Sequence, residues 1–125
     1  MFFKPIYFLI LFFACNCLAY GHETGYSGIS ADEAKNLIKK EKAVLVDVRT
    51  AEEYEKYHIN GSISIPYTEI YDLAEKTIPD KNTKVIVYCS NGGRSIIAAR
   101  RFAVLGYKNV YDLGGFRDFK DKIEK

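Results

Sequence analysis

Two short runs of apolar, mostly β-branched residues constrain the fold of this chain more than any other feature. They are residues 43–48 (AVLVDV) and 84–88 (KVIVY). A strand with one solvated face alternates apolar and polar residues, whereas a strand buried on both faces of a parallel sheet is apolar almost throughout. The segment between the two runs is long enough for the helical crossover that parallel neighbours require. The runs therefore predict two central strands of a parallel sheet.

Helical signals lie on either side of both runs. Residues 30–33 (SADE) and 50–53 (TAEE) have the spacing of a capping box, in which the hydroxyl and the carboxylate satisfy free amides at a helix start. Strands that alternate with helices predict an α/β domain. The remaining expected elements are helices over 70–76 and 95–105, strands over 63–66 and 110–111, and a last helical turn after Gly114-Gly115. In the helix over 95–105 we expect Ile96, Ala99, Phe102 and Ala103 to face inward.

The N-terminal residues are typical of a secretory signal peptide. Lys4 precedes an apolar run over 6–14, and Ala19 is the expected cleavage residue. We therefore expect residues 1–19 to be the signal peptide, 20–27 a flexible lead and 28–125 one domain. Lipidation at Cys15 and an uncleaved N-terminal anchor are the alternatives. All three place the domain outside the cytoplasm, in the periplasm, and in the signal-peptide interpretation no membrane span remains after cleavage.

Charge and cysteine usage restrict the function. The 18 basic and 16 acidic residues are scattered, so there is no basic stripe suited to nucleic acid. Of the three cysteines, only Cys89 lies beyond the predicted export segment. A lone cysteine in an oxidising compartment is either a buried small apolar residue or a thiol kept for its reactivity.

The neighbours of Cys89 favour the reactive thiol. Residues 85–95 (VIVYCSNGGRS) place Cys89 at the carboxyl end of a buried strand, just before a helix. Ligands of open α/β sheets bind at this edge, and the positive end of the helix faces the same place. Gly92 and Gly93 let the loop turn its N–H groups inward, and Arg94 adds a permanent positive charge. Each feature favours the thiolate, which is the nucleophilic form of cysteine.

A cysteine followed by four residues and an arginine, between a strand and a helix, resembles the active-site loop of the rhodaneses, the thiosulfate sulfurtransferases. Three further segments resemble family signatures in the expected order, so that the likeness covers almost all of residues 27–123. They are 44–54 (VLVDVRTAEEY), 58–66 (HINGSISIP) and 113–115 (LGG). The resemblance implies a three-layer rhodanese-like domain with a central, mostly parallel, five-stranded sheet flanked by helices.

Three residues depart from the usual family pattern. Ala51, Tyr57 and Phe119 stand where a proline, a glycine and a tryptophan are common. All three lie outside the loop, so they bear on packing rather than on chemistry. Phe116 and Phe119 are expected to be lid or core residues rather than ligands.

The resemblance also implies a mechanism. The Cys89 thiolate would take the sulfane sulfur of thiosulfate or of a related persulfide donor, and cyanide, a thiol or a protein acceptor would remove it from the Cys89 persulfide. No metal and no organic cofactor is implied, and we expect a monomer. The residues expected to bind the small anionic substrate are Ser90, Asn91, Gly92, Gly93, Arg94 and Ser95.

Supporting roles are open for several polar residues. Asp47 ends a buried strand, and we expect it to organise the loop or to pair with Arg49. Arg49 is alternatively a residue of the pocket mouth that attracts anions. We expect His58 to make a structural hydrogen bond, because thiolate attack needs no general base. Ser95 is interpreted as a helix N-cap, as a hydroxyl donor to the persulfide, or as both.

Two other functions are compatible with the same loop. One is a sulfur-carrier or redox-partner module with little free turnover, which would share the persulfide. The other is a cysteine phosphatase or arsenate reductase, but those enzymes have five residues between cysteine and arginine, and this loop has four, Ser90 to Gly93. A tighter ring suits a sulfur atom better than a phosphate.

Overall fold

A computed structural model of the protein describes residues 24–116 and the backbone of 123–124. The predicted signal peptide and Phe119 lie outside these residues. The described helices are α1 (Ala31–Glu41), α2 (Ala51–Lys56), α3 (Ile70–Thr77) and α4 (Gly93–Val104), with a 3-10 turn at Tyr67–Glu69. The strands are β1 (Ser27–Gly28), β2 (Val44–Asp47), β3 (His58–Ile59), β4 (Ile63–Ser64), β5 (Lys84–Cys89), β6 (Asn109–Gly115) and β7 (Ile123–Glu124).

A parallel sheet forms the middle layer of the domain. Its five strands run in the order β1-β6-β5-β2-β4, and every neighbouring pair is parallel. Strands β3 and β7 form a separate antiparallel pair. The predicted α/β domain with a central five-stranded, mostly parallel sheet is therefore confirmed.

The two apolar runs become the adjacent central strands β2 and β5, and the core lies on both of their faces. Val85 and Val87 pack into one cluster with Ala98 and Phe102 of α4. Ile86 and Tyr88, which point the other way, pack with Ala34 of α1 and with Leu45. Each fully buried Val or Ile side chain stabilises the fold by about 1.5–3 kcal/mol relative to an exposed one. This two-sided burial explains why these strands read as continuous apolar runs.

Both predicted capping sites begin helices. Ser30 Oγ accepts a hydrogen bond from the Glu33 amide at 3.2 Å at the start of α1. At the start of α2 the box is complete, because Thr50 Oγ1 accepts from the Glu53 amide and Glu53 Oε1 accepts from the Thr50 amide.

The structure corrects the predicted end of the domain. Gly114 and Gly115 do not break the chain but form the end of β6, beside Tyr88 and Cys89 of β5. Phe116, the next residue, is in 3-10 conformation, and the rest of the predicted helical turn lies outside the described residues. The register shifts between Val87 and Tyr88, and the backbone of Gly114 takes a φ of +80° there. This bulge keeps the strand paired up to the edge where Cys89 lies. Among the described residues after it, Ile123–Glu124 is a strand.

Other boundaries also differ from the sequence prediction. Ser27, placed in the flexible lead, forms β1 beside β6, and Tyr26 packs against the core. Helix α4 begins at Gly93 rather than at Ser95, and 38% of the surface of Ile96 is exposed, so Ile96 does not face inward. Among the described residues no helix has both the length and the apolar content to cross a membrane.

Candidate active site

Cys89 is the last residue of β5, at the carboxyl edge of the sheet, and 1% of its surface is exposed. Its Sγ accepts a hydrogen bond from the Gly92 amide at 3.0 Å. Helix α4 starts at the next residue, so its free amides and the positive end of its dipole lie beside the same loop. The sulfur is thus enclosed in the loop and accepts a hydrogen bond from a backbone amide, as expected from a loop whose N–H groups turn inward.

Two glycines allow the loop to close this tightly. Gly92 has a φ of +92°, in the left-handed region that glycine adopts without strain. Gly115 leaves room for the loop, because a Cβ atom there would lie 2.8 Å from the carbonyl oxygen of Ser90. Asn91 is exposed at the outer part of the loop and Ser90 is half-buried. The role of these side chains in binding a substrate stays a prediction.

Ser95 lies inside the first turn of α4, and its predicted role as N-cap is wrong. The N-cap is Gly92, which has no side chain to offer. The Ser95 hydroxyl donates instead to the Gly92 carbonyl oxygen at 3.0 Å and is fully buried. Ser95 therefore fixes the residue whose amide holds the sulfur. Donation from Ser95 to a persulfide stays a prediction.

The guanidinium of Arg94 is bound to Glu53 of α2 rather than free to turn towards the loop. Its Nη1 donates to Glu53 Oε1 at 2.6 Å and its Nη2 donates to Glu53 Oε2 at 3.0 Å. The hydrogen bond to Glu53, and to a smaller degree the charge of Glu53, raise the pKa of Arg94 despite its partial burial. The bond from Arg94 lowers the pKa of Glu53 to about 2. Glu53 is a site residue that the sequence does not reveal, because its position indicates only a helix cap.

A buried ion pair lies behind the site. Asp47 and Arg49, 0% and 1% exposed, approach to 2.7 Å between Oδ2 and Nη2. The Arg49 backbone amide also donates to Asp47 Oδ1 at 2.9 Å. Although burial works against its charge, the hydrogen bond and the charge of Asp47 raise the pKa of Arg49. The pairing alternative is thus the observed one, and Arg49 does not line a pocket mouth because it is buried.

Arg49 also joins three segments of chain. Its Nη2 donates to the Tyr57 carbonyl oxygen at 2.7 Å, and its guanidinium lies 5.1 Å from the Tyr57 ring centre and 5.0 Å from that of Phe116. Phe116 is thereby a packing residue, as expected. His58 Nδ1 lies 2.8 Å from the Tyr54 carbonyl oxygen and its ring stacks on the Tyr54 ring, which agrees with a structural role.

Tyr88 completes this network and precedes Cys89 in β5. Its hydroxyl donates to Asp47 Oδ2 at 2.8 Å, accepts from the Ile59 amide at 3.1 Å and lies 3.0 Å from Ser62 Oγ. Burial raises the pKa of Tyr88. Among the described residues every buried side-chain nitrogen and oxygen has a partner. Tyr88 was not recognised from the sequence, where it read only as the end of an apolar run.

Two cavities, of about 500 and 390 Å³, do not lie at the Cys89 loop. The first is lined by Ile38, Leu45 and Ile59 among others, and the second lies beside β1 and the start of β6. Within residues 24–116, no three His, Cys, Asp or Glu side chains lie close enough to hold a metal ion. The chemistry of the Cys89 loop, rather than cavity size, identifies the candidate site.

Comparisons with known proteins identify a matching family model and similar chains. Residues 30–122 match the family model of the rhodanese-like domain. Thiosulfate sulfurtransferase PspE of Escherichia coli is 38% identical over 73 residues, which are 58% of this chain and 70% of PspE. Thiosulfate sulfurtransferase GlpE of Coxiella burnetii is 38% identical over 96 residues, 76% of this chain and 88% of GlpE.

Two further comparisons add a putative sulfur carrier and a solved structure. Putative sulfur carrier protein YrkF of Bacillus subtilis is 35% identical over 98 residues, 77% of this chain and 52% of YrkF. A solved structure of a rhodanese with anions from E. coli is similar with a TM-score of 0.62 and 35% identity, covering 66% of this chain and 98% of that one.

Proposed function

Because the chain belongs to the rhodanese-like family, we propose that it is a sulfurtransferase that carries sulfane sulfur as a persulfide on Cys89. The observation that carries the proposal is the hydrogen bond from the Gly92 amide to Cys89 Sγ at the positive end of α4. A backbone donor and a helix N-terminus both stabilise the negative charge that a Cys89 persulfide carries. Relatives that are thiosulfate sulfurtransferases support a rhodanese-type activity.

In the first step the Cys89 thiolate attacks the outer sulfur of thiosulfate. A bond forms between Sγ and that sulfur, the sulfur–sulfur bond of thiosulfate breaks, and its electron pair leaves on sulfite. Charge on the leaving sulfite is stabilised by the loop amides and by the N-terminus of α4. The solved relative described as a rhodanese with anions supports anion binding by a protein of this family. The step consumes no proton, so it needs no general base.

In the second step an acceptor removes the outer sulfur. Cyanide attacks this sulfur, thiocyanate leaves, and the electron pair of the persulfide bond returns to Cys89 as the thiolate. A thiolate acceptor reacts in the same way and becomes a persulfide. In both steps the hydrogen bond from Ser95 to the Gly92 carbonyl oxygen fixes the loop backbone, and Gly115 leaves room for the Ser90 carbonyl oxygen.

The buried polar network supports the reacting residue from behind. Tyr88 precedes Cys89, and its hydroxyl is bonded to Asp47 of the neighbouring strand. Asp47 is in turn bonded to Arg49. We assign Asp47 and Arg49 a supporting role, in which they fix the end of β5 without touching the substrate.

The test is thiosulfate:cyanide sulfur transfer by the protein and by its Cys89→Ser variant. We expect thiocyanate formation by the protein and none above background by the variant, with the fold retained. A control is Gly28→Ala, which lies outside the loop, meets nothing within 4 Å and should retain turnover. Appreciable thiocyanate from Cys89→Ser would show that sulfur does not pass through Cys89.

A sulfur-carrier role is the second candidate. It is favoured by the similarity to a putative sulfur carrier and by the near-complete burial of Cys89, which limits access for free substrates. In this role the Cys89 persulfide forms, but turnover with thiosulfate and cyanide is slow unless a protein partner is present. Persulfide formation without thiocyanate turnover would favour the carrier over the enzyme.

A further inference from the structure

We propose that Glu53 is a specificity-determining residue, which holds Arg94 and makes the site favour sulfur donors with less negative charge than thiosulfate. This inference rests on the proposed function, since it concerns the donor used by the Cys89 loop. It adds a residue that the loop motif does not contain, because Glu53 comes from α2.

The contact between the two residues is the first argument. Arg94 donates from both terminal nitrogens to the two carboxylate oxygens of Glu53, at 2.6 and 3.0 Å. This fork-to-fork geometry is the one with which arginine binds a planar or tetrahedral oxyanion. Glu53 therefore occupies the face of the guanidinium that would otherwise bind the sulfonate oxygens of thiosulfate.

Glu53 is held in place independently of Arg94. Its Oε1 also accepts hydrogen bonds from the Thr50 amide at 3.2 Å and from Thr50 Oγ1 at 3.0 Å. The capping box thus fixes the carboxylate at the start of α2, and the carboxylate fixes Arg94. An anion that displaces Glu53 from Arg94 also breaks the hydrogen bonds that cap α2, so the displacement costs free energy.

The charges give the direction of the effect. Arg94 and Glu53 are 30% and 34% exposed, and the pair is neutral as a whole. A dianion at the loop meets the positive end of α4 but also a fixed carboxylate, and its repulsion from that carboxylate is twice that of a monoanion. Compared with an unpaired Arg94, the pair therefore weakens binding of thiosulfate more than binding of a persulfide donor with one negative charge.

The variant Glu53→Gln isolates this effect. Glutamine retains the shape of the side chain and serves at the same position of a capping box, so α2 keeps its start. The variant removes the negative charge and frees Arg94 from its ion pair. Glu52→Gln is the matched control, because Glu52 lies in the same helical turn, is exposed and carries the same charge.

The first measurement needs no turnover. Sulfate, a dianion without transferable sulfur, is titrated into the ¹⁵N-labelled protein, and the shifts of the Gly92 and Gly93 amides give its dissociation constant. We expect Glu53→Gln to bind sulfate about three- to tenfold more tightly than the protein, and Glu52→Gln to stay within about twofold of it. Equal or weaker binding by Glu53→Gln, or no saturable shift in any of the three proteins, would overturn the inference.

The second measurement concerns the donor. The value of kcat/KM for thiosulfate should rise about three- to tenfold in Glu53→Gln, mainly through KM, and that for cysteine persulfide should stay within about twofold. A fall for thiosulfate would mean that Glu53 positions Arg94 for the substrate, and the inference would be wrong. If sulfate binds more tightly to Glu53→Gln but no protein forms a persulfide, then the proposed function fails and the account of anion binding stands.

Discussion

Replacing Tyr88 with phenylalanine removes one hydroxyl that three buried groups share. The ring still fills its place beneath α1, so no cavity forms, but the Ile59 amide and Asp47 Oδ2 each lose a partner. An unsatisfied buried amide costs about 1–3 kcal/mol, and a hydrogen bond to a charged group contributes about 1.5–3 kcal/mol. Because Asp47 keeps its bonds to Arg49, we expect Tyr88→Phe to lower the free energy of unfolding by about 2–4 kcal/mol.

Urea and thermal denaturation measure this loss. For a domain of about 100 residues, 2–4 kcal/mol corresponds to a fall in Tm of about 10–20 °C. Tyr107→Phe is the matched control, since the buried Tyr107 hydroxyl donates to a single carbonyl oxygen, that of Ile78, and its loss should cost about 1 kcal/mol. If Tyr88→Phe costs no more than Tyr107→Phe, then the hydroxyl does not join β5 to Asp47 and the 58–62 segment as described.

The dependence of stability on pH provides a second test of the same hydroxyl. Burial raises the pKa of Tyr88 above its ordinary value, so the folded state keeps a proton that the unfolded chain releases at high pH. The resulting stabilisation is complete below about pH 10 and is lost as the pH rises further, towards the folded-state pKa. The decline in stability above about pH 10 should therefore be shallower in Tyr88→Phe than in the protein. An identical decline would contradict the raised pKa.

Three further predictions address the loop and the N-terminus. Arg94→Ala leaves the Glu53 carboxylate unpaired beside the loop, so kcat/KM for thiosulfate should fall at least about tenfold and should recover in part in the double variant Arg94→Ala/Glu53→Gln. Unchanged kinetics would show that Arg94 does not contribute to anion binding. Gly115→Ala places a Cβ atom 2.8 Å from the Ser90 carbonyl oxygen and should reduce sulfur transfer at least about tenfold, whereas the control Gly28→Ala, which meets nothing within 4 Å, should retain sulfur transfer. Equal activities of the two variants would show that the loop does not depend on the close approach of Gly115. Export predicts that fractionation finds the protein outside the cytoplasm and lacking residues 1–19, and full-length protein in the soluble cytoplasm would contradict it.

The centre of the fold could be predicted from the sequence because its signals are local. The runs that became β2 and β5 are buried on both faces, and that burial favours apolar residues at almost every position. The starts of α1 and α2 were visible because hydroxyl and carboxylate residues at fixed spacing satisfy free amides. The position of Cys89 at the carboxyl end of β5 follows from the same strand.

The parts that were not predicted depend on contacts between distant segments. Two-residue strands such as β1 and β3 have no periodicity of their own, and only their neighbours β6 and β7 define them. Gly114 and Gly115 read as a chain break, although glycine is needed there because β6 passes close to Ser90. Glu53 lies 41 residues from Arg94 in the chain, and a capping signal does not reveal that the same carboxylate reaches the active-site loop.

Mass spectrometry of the purified protein, with and without thiosulfate, tests the central claim most directly. We predict that thiosulfate adds one sulfur atom to the protein, that the added sulfur lies on the peptide containing Cys89, and that cyanide removes it. An unchanged mass after treatment with thiosulfate and with a persulfide donor, or sulfur found on another residue, would contradict the claim that Cys89 carries the sulfur.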